Sequence, residues 1–280
     1  MSVPADILRK NPGVGEWAFL HGYRGSIAHG MYEPSDRPDS IDDKDTMAFC
    51  VPPIDYYTGL SEYGSRGTQE IKRGEWDIVA YEARKAIRLL AGGNPNVLSM
   101  LWLPDNLYIH RGDAGRFLLD ERNLFVGRHV YKPFVGYATQ QLYKMEHGAF
   151  KGYMGDKRKA IVERYGYDTK NAAHLIRLLR MGIEFLRDGE LNVLRYDAAE
   201  LLAIKHGEWT LERIKEESAR LFRRAEEVYD RSTLPARPDR SKVNALCVEV
   251  VRMAFEERSQ ARCAHVPPTP EAREPTNAGE

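Results

Sequence analysis

The sequence predicts a mixed α/β domain followed by an all-helical one, and three observations predict it. Short apolar runs bounded by glycine and proline, a strand signature, are confined to the first 125 residues. Between about 126 and 260, apolar residues recur instead at helical spacing. The end of the chain, HVPPTPEAREPTNAGE, is proline-rich and polar, which predicts a disordered tail over 261–280. A chain of 280 residues with 42% apolar and 29% charged side chains has ordinary globular composition. It is long enough to bury a core without disulfide or metal staples.

The elements follow in order. Residues 17–23 (WAFLHGY) read as a strand leading into Gly25, and residues 46–51 (TMAFCV), closed by Pro52 and Pro53, as a second. Residues 75–81 (EWDIVAY) alternate in part and read as a third. Ala83, Ala86, Ile87, Leu89 and Leu90 then fall on helical spacing over 82–91, and the helix stops at Gly92-Gly93. Asn94-Pro95 opens a helix over 95–102, and 107–110 is a candidate strand. In the second half, Pro133 sits in the first turn of a helix reaching about 147. KGYMGDKRK (151–159), with its two glycines, reads as flexible. Asp168 or Thr169 caps a helix that reaches about Arg187 and stops at Asp188-Gly189. A short helix over 197–206 and longer amphipathic ones over 210–231 and 241–260 complete the chain.

Charge and cysteine narrow the function classes. Forty-one basic side chains balance 41 acidic ones, which argues against non-specific coating of nucleic acid. The zero is a cancellation. Residues 31–60 carry seven acidic and two basic side chains, whereas residues 131–180 carry ten basic and four acidic. Cys50, Cys247 and Cys263 show neither metal spacing nor a disulfide framework, and read as small buried apolar residues. No apolar run is long enough to span a membrane, and MSVPADILRK lacks an apolar signal core, so the expectation is cytoplasmic.

The acidic region carries the chemistry. A strand ends at Gly25-Ser26, where serine suits a helix start, backbone N–H groups can face an anion, and Gly25 permits close approach of a phosphate. Asp43-Lys44-Asp45 enters the next strand, and residues two apart on a strand face one side, so both carboxylates aim at one point. Oxygen ligands of this kind suit Mg²⁺, which also binds substrate phosphates. Asp77 sits within the apolar strand Trp76-Asp77-Ile78-Val79, where a carboxylate needs a partner or a metal.

The order Gly25-Ser26, Asp43-x-Asp45, Asp77 resembles the nucleotidyltransferase superfamily of the DNA polymerase β type. More narrowly, GSIAHG, DDKDTMAFCVPP and WDIVAYEARKAIRLLAGGNPNVLSMLW resemble the nucleotidyltransferases associated with RNA repair, with Gly93-Asn94-Pro95-Asn96-Val97-Leu98 as the most specific mark. The likeness runs on through GYATQQLYKM and GYDTKNAAHLIRLLRMGIEFLRDGEL and covers roughly residues 18–215. The sixteen residues between Ser26 and Asp43 make a longer loop than that pattern usually carries.

The resemblance implies an α+β nucleotidyltransferase palm over 1–125 with a mixed sheet, then a helical domain over 126–260. It implies metal-dependent transfer of a nucleoside monophosphate from an NTP to a hydroxyl acceptor, an RNA end being favoured, with pyrophosphate released. Asp43, Asp45 and Asp77 would hold two Mg²⁺ ions, or Mn²⁺, and Asp77 would help deprotonate the attacking hydroxyl. Gly25 and Ser26 would contact phosphates. His29 has two readings, a phosphate contact or a packing role.

Lys157, Arg158, Lys170, His174 and Arg177 form a second candidate set. The last three are spaced four and three apart and so share a helix face. Spacing alone gives a solvated face, whereas the resemblance favours phosphate or acceptor binding. Nearby tyrosines read mainly as core. Two other functions stay open: nucleotidylation of a protein or small molecule, and an inactive nucleotide- or RNA-binding module. The sequence gives no oligomeric state.

Overall fold

The computed structural model describes residues 2–34, 42–147 and 156–264. The chain opens with α1 (Ala5–Lys10), β1 (Ala18–Tyr23) and a four-residue helix α2 (Gly25–Ala28). Strand β2 (Lys44–Cys50), a short α3 (Ile54–Thr58) and the hairpin β3 (Thr68–Arg73) and β4 (Trp76–Glu82) follow. Helices α4 (Ala83–Ala91) and α5 (Pro95–Leu98), strand β5 (Tyr108–Arg111) and α6 (Asp113–Asp120) close the first half. The remainder is helical: α7 (Tyr131–His147), α8 (Asp156–Tyr165), α9 (Thr169–Asp188), α10 (Ala198–Lys205), α11 (Leu211–Arg231) and α12 (Arg240–Ala264).

The five strands form one mixed sheet in the order β3-β4-β2-β1-β5, with β2 and β4 parallel and the other pairs antiparallel. The pleat sorts the strands' side chains by parity. Met47, Phe49 and Val79 point into the main core, which continues under α4, α7, α9 and α12. Ala48, Cys50, Ile78 and Ala80 point to the other face, which α1 covers with Ile7. The last helix returns to the sheet half, where Phe255 packs edge-on against Tyr57 and Arg258 donates to the Val51 carbonyl at 2.6 Å.

Side chains cap several helices, including those expected at Asn94 and Asp168. Asn94 accepts from the Asn96 and Val97 N–H groups, Asp168 from Asn171 and Thr210 from Arg213. Gly189 ends α9 in the left-handed region at φ 74°. Of the cysteines, Cys50 is fully buried and Cys247 half-buried.

The differences are physical. Strand β2 starts at Lys44, two residues before its apolar run, because Lys44 pairs with Glu75 and lies over the Trp76 ring. Strand β3 (TQEIKR) is a polar edge strand with almost no apolar pattern to read. Helix α8 starts at Asp156, inside the run read as flexible. The helix expected over 95–102 is α5 followed by a 3₁₀ turn, Ser99–Trp102. Helix α12 continues to Ala264, so the first four residues expected in a disordered tail are helical, and the rest of that tail lies outside the described residues.

Candidate active site

The parallel ladder places Asp45 of β2 directly beside Asp77 of β4. Both lie at odd positions, on the face carrying Met47 and Val79, where the helical half packs. Each carboxylate is only about a quarter exposed, at 25% and 24%. A cation joins them: Arg24 Nη2 donates to Asp77 Oδ1 at 3.1 Å and lies 3.5 Å from Asp45 Oδ1. Burial pushes the Asp45 carboxyl up to about 6; Arg24 acts against the rise, and the neighbouring Asp77 and Asp43 carboxylates add to it. Asp43 itself is exposed, one residue ahead of the strand.

Gly25 is fixed by this arrangement. It has φ 61°, and a Cβ there would sit 2.3 Å from Asp45 Oδ2. The Arg24 N–H donates to the Asp45 carbonyl at 3.0 Å, which locks the β1–α2 corner onto β2. Gly25, Ser26 and Asp45 then form one wall of a cavity of about 230 Å³.

The opposite wall comes from α9. Lys170, His174 and Arg177 all line the same cavity, so this stripe faces the carboxylates and is not a solvated surface. Arg177 is buried, at 6% exposure, and its guanidinium donates only to Met181 Sδ, at 3.1 Å. Among the described residues no carboxylate forms an ion pair with it. Burial, reinforced by Arg195 and opposed more weakly by Asp197, lowers its pKa to about 9, so it stays charged at neutral pH. Asn96 and Ser99 line a third side, bringing the Gly-Asn-Pro-Asn corner to the site. His29 is buried with Nδ1 2.8 Å from the Val193 carbonyl oxygen. Burial, with Arg177 adding to it, holds its pKa well below the ordinary value, and the residue also lines the same cavity. The side chains of Lys157 and Arg158 lie outside the described residues. Tyr167 is buried, and Tyr131, Tyr137 and Tyr165 pack on the core, whereas Tyr143 is half exposed.

Two contributors escaped sequence reasoning. Arg24 stands beside the Gly25-Ser26 motif, and its adjacency to a strand end was the available signal. Lys205, at the end of α10, is 8% exposed and reaches Asp42 at 2.6 Å and Glu33 at 2.9 Å. Lys170 contacts Asp42 at 3.4 Å, and His206 contacts Glu33 at 2.9 Å. Burial raises the Glu33 pKa, but Lys205 and His206 outweigh it and hold the carboxyl below its ordinary value. Glu33 and Asp42 flank residues 35–41, so this cluster fastens both ends of the loop before Asp43 to the helical half. A lysine within the otherwise apolar run Leu201, Leu202, Ile204 was the sequence signal.

The donor chemistry is of the kind that suits Mg²⁺: two oxygen-only carboxylates, one of them held high mainly by burial, with a guanidinium between them. Among the described residues, no group of three or more His, Cys, Asp or Glu side chains is close enough to hold a metal. The fold pairs Asp45 with Asp77, while Asp43, exposed and ahead of the strand, does not close with them into a three-carboxylate group.

Comparison with curated proteins and with solved structures returns no match. A family model described as RlaP, RNA repair pathway DNA polymerase beta family, matches residues 18–249. That span contains the sheet, the paired carboxylates, the Gly-Asn-Pro-Asn corner and the α9 stripe. The chain belongs to this polymerase-β-like family of RNA repair.

Proposed function

We propose that the protein is a metal-dependent nucleotidyltransferase that moves a nucleoside monophosphate from an NTP to a hydroxyl of an RNA end. The observation that carries this reading is Arg177: a buried cation with no carboxylate partner among the described residues, lining the cavity that also holds Asp45. A buried unpaired charge is costly, so a site that keeps one is built for an anion. The triphosphate would take up Arg177, Lys170 and the Gly25-Ser26 corner. Its reacting end would then lie toward Asp45 and Asp77.

The reaction balances simply. The acceptor hydroxyl oxygen forms a bond to the α-phosphorus, the α–β bridging P–O bond breaks, and pyrophosphate leaves. The hydroxyl proton passes to the Asp77 carboxylate. Asp43, Asp45 and Asp77 would hold Mg²⁺, or Mn²⁺, whose role is to acidify the hydroxyl and neutralise the leaving pyrophosphate. Arg24 now neutralises Asp45 and Asp77, the charge that a bound cation would otherwise supply. Catalysis would rest on positioning and charge neutralisation rather than on a covalent enzyme intermediate.

Arg177→Met tests the anion site. Losing a charge-assisted contact should weaken NTP binding by about tenfold to a hundredfold. Removing an unpaired buried charge should leave the Tm unchanged or higher. Calorimetric NTP affinity equal to wild type would count against the assignment. One observation favours a second reading, an inactive nucleotide-binding module: Arg24 already spans Asp45 and Asp77. NTP binding that is unaffected by Mg²⁺, with no transfer, would identify that case. Nucleotidylation of a protein or small molecule has no comparable structural support.

A further inference from the structure

A second, larger cavity of about 930 Å³ lies where the end of α4 meets the starts of α7 and α12 and the end of α11. Six permanently cationic side chains line it: Arg84, Arg88, Arg128, Lys132, Arg237 and Arg240. No aspartate or glutamate does. In an otherwise neutral chain this is a concentration of like charge. Several surface arginines elsewhere are matched locally, as in Arg220–Glu217, Arg224–Glu227 and Arg252 with Glu249 and Glu256. Among the described residues, Arg84 alone of the six has such a partner, Glu82 at 3.1 Å. The nearby Asp239 accepts from the Ser241 and Lys242 N–H groups and caps α12. His129 adds no charge, because burial lowers its pKa and Arg237 lowers it further.

Clustered unmatched cations repel one another, and the repulsion is relieved by a polyanion that spans them. The groove also offers an aromatic surface, with Tyr229 stacked on Tyr131 at 4.5 Å and Arg128 over the Tyr229 ring. It adjoins the candidate active site. Gly92 lines the groove and Asn96, four residues on, lines the carboxylate cavity. Four residues of chain reach at most about 14 Å.

We propose that this groove holds the sugar–phosphate backbone of the RNA acceptor and delivers its end across the Gly-Asn-Pro-Asn corner to Asp45 and Asp77. The assignment of RNA rests on the nucleotidyltransferase reading; the preference for a polyanion rests on the groove alone. Lys132 and Arg88, both exposed, are the cations to remove, because neither forms an ion pair among the described residues.

The test measures affinity of the full chain for a fluorescent single-stranded RNA across a salt series. Alongside it run NTP affinity and Tm. Arg88→Ser with Lys132→Ser should weaken RNA binding at least tenfold. The slope of log K against log salt should fall in magnitude by about 1.4, at roughly 0.7 per lost phosphate contact. NTP affinity and Tm should not change. RNA affinity and salt slope equal to wild type would overturn the groove assignment. Equal competition by polyglutamate would overturn RNA as its ligand. Loss of RNA binding in the variant, with wild type unable to bind any NTP, would support the groove while removing the nucleotidyltransferase reading.

Discussion

Asp45 is the residue on which the site turns. Its carboxyl is pushed up to about 6 by burial, against Arg24, and two further carboxylates stand beside it. Ionised Asp45 therefore costs the protein stability at neutral pH unless positive charge is supplied. Asp45→Asn should accordingly not lower the Tm at pH 7.5 without metal, and should raise it by a few degrees. The same variant should lose the rise in Tm that Mg²⁺ gives wild type. A variant that melts earlier than wild type, or keeps the full Mg²⁺ response, would contradict this account by differential scanning fluorimetry. Asp45 and Asp77 were legible in the sequence because a carboxylate within an apolar strand needs a compensating charge. Their compensator, Arg24, was not, since it is the corner after β1, held by its N–H to the Asp45 carbonyl, that brings its guanidinium across both.

At the scale of elements, the site depends on how α9 and α10 meet the β1–β2 connection. Lys205 is nearly buried and bridges Glu33 and Asp42. Removing one partner of a buried ion cluster leaves charge uncompensated, which costs about 3–5 kcal/mol. Lys205→Met should reduce stability in urea by that order, and Lys205→Met with Glu33→Gln and Asp42→Asn should recover much of it. A single variant within about 0.5 kcal/mol of wild type would show that the cluster does not fasten the loop. The helices themselves were largely legible from periodicity and caps: α4, α9 and α11 fall close to their expected ends. Strand β3 was hidden because an exposed edge strand carries little apolar pattern. The inward aim of Lys170, His174 and Arg177 was hidden because spacing fixes a shared face but not what that face meets.

Across the whole molecule, the neutral charge resolves into a carboxylate pair, a cation-lined cavity and a basic groove. Acid sensitivity follows from two buried histidines. Burial lowers the His21 pKa to about 4, and His29 is also held well below its ordinary value. The unfolded chain protonates both near 6.5, so between about 6.5 and 4 it binds more protons than the folded one. Their contribution is therefore complete above pH 6.5 and is lost as the pH falls toward 4. For His21 alone the loss is about 3 kcal/mol. Asp45 works in the opposite direction over part of this window, so the useful quantity is the difference between wild type and His21→Gln. The urea midpoint of wild type should fall more steeply than that of the variant between pH 6.5 and 4.5, and parallel curves would contradict the assignment.

The central claim is transfer chemistry at Asp45 and Asp77. Its most direct test is to incubate the protein with Mg²⁺, α-phosphate-labelled NTPs and an RNA oligonucleotide bearing free hydroxyl ends, and to measure label on the RNA. Wild type should label the RNA, chelation of the metal should stop it, and Asp45→Asn with Asp77→Asn should reduce the rate at least about a hundredfold. Labelling by the double variant at the wild-type rate, or no label on RNA from any NTP, would contradict the account.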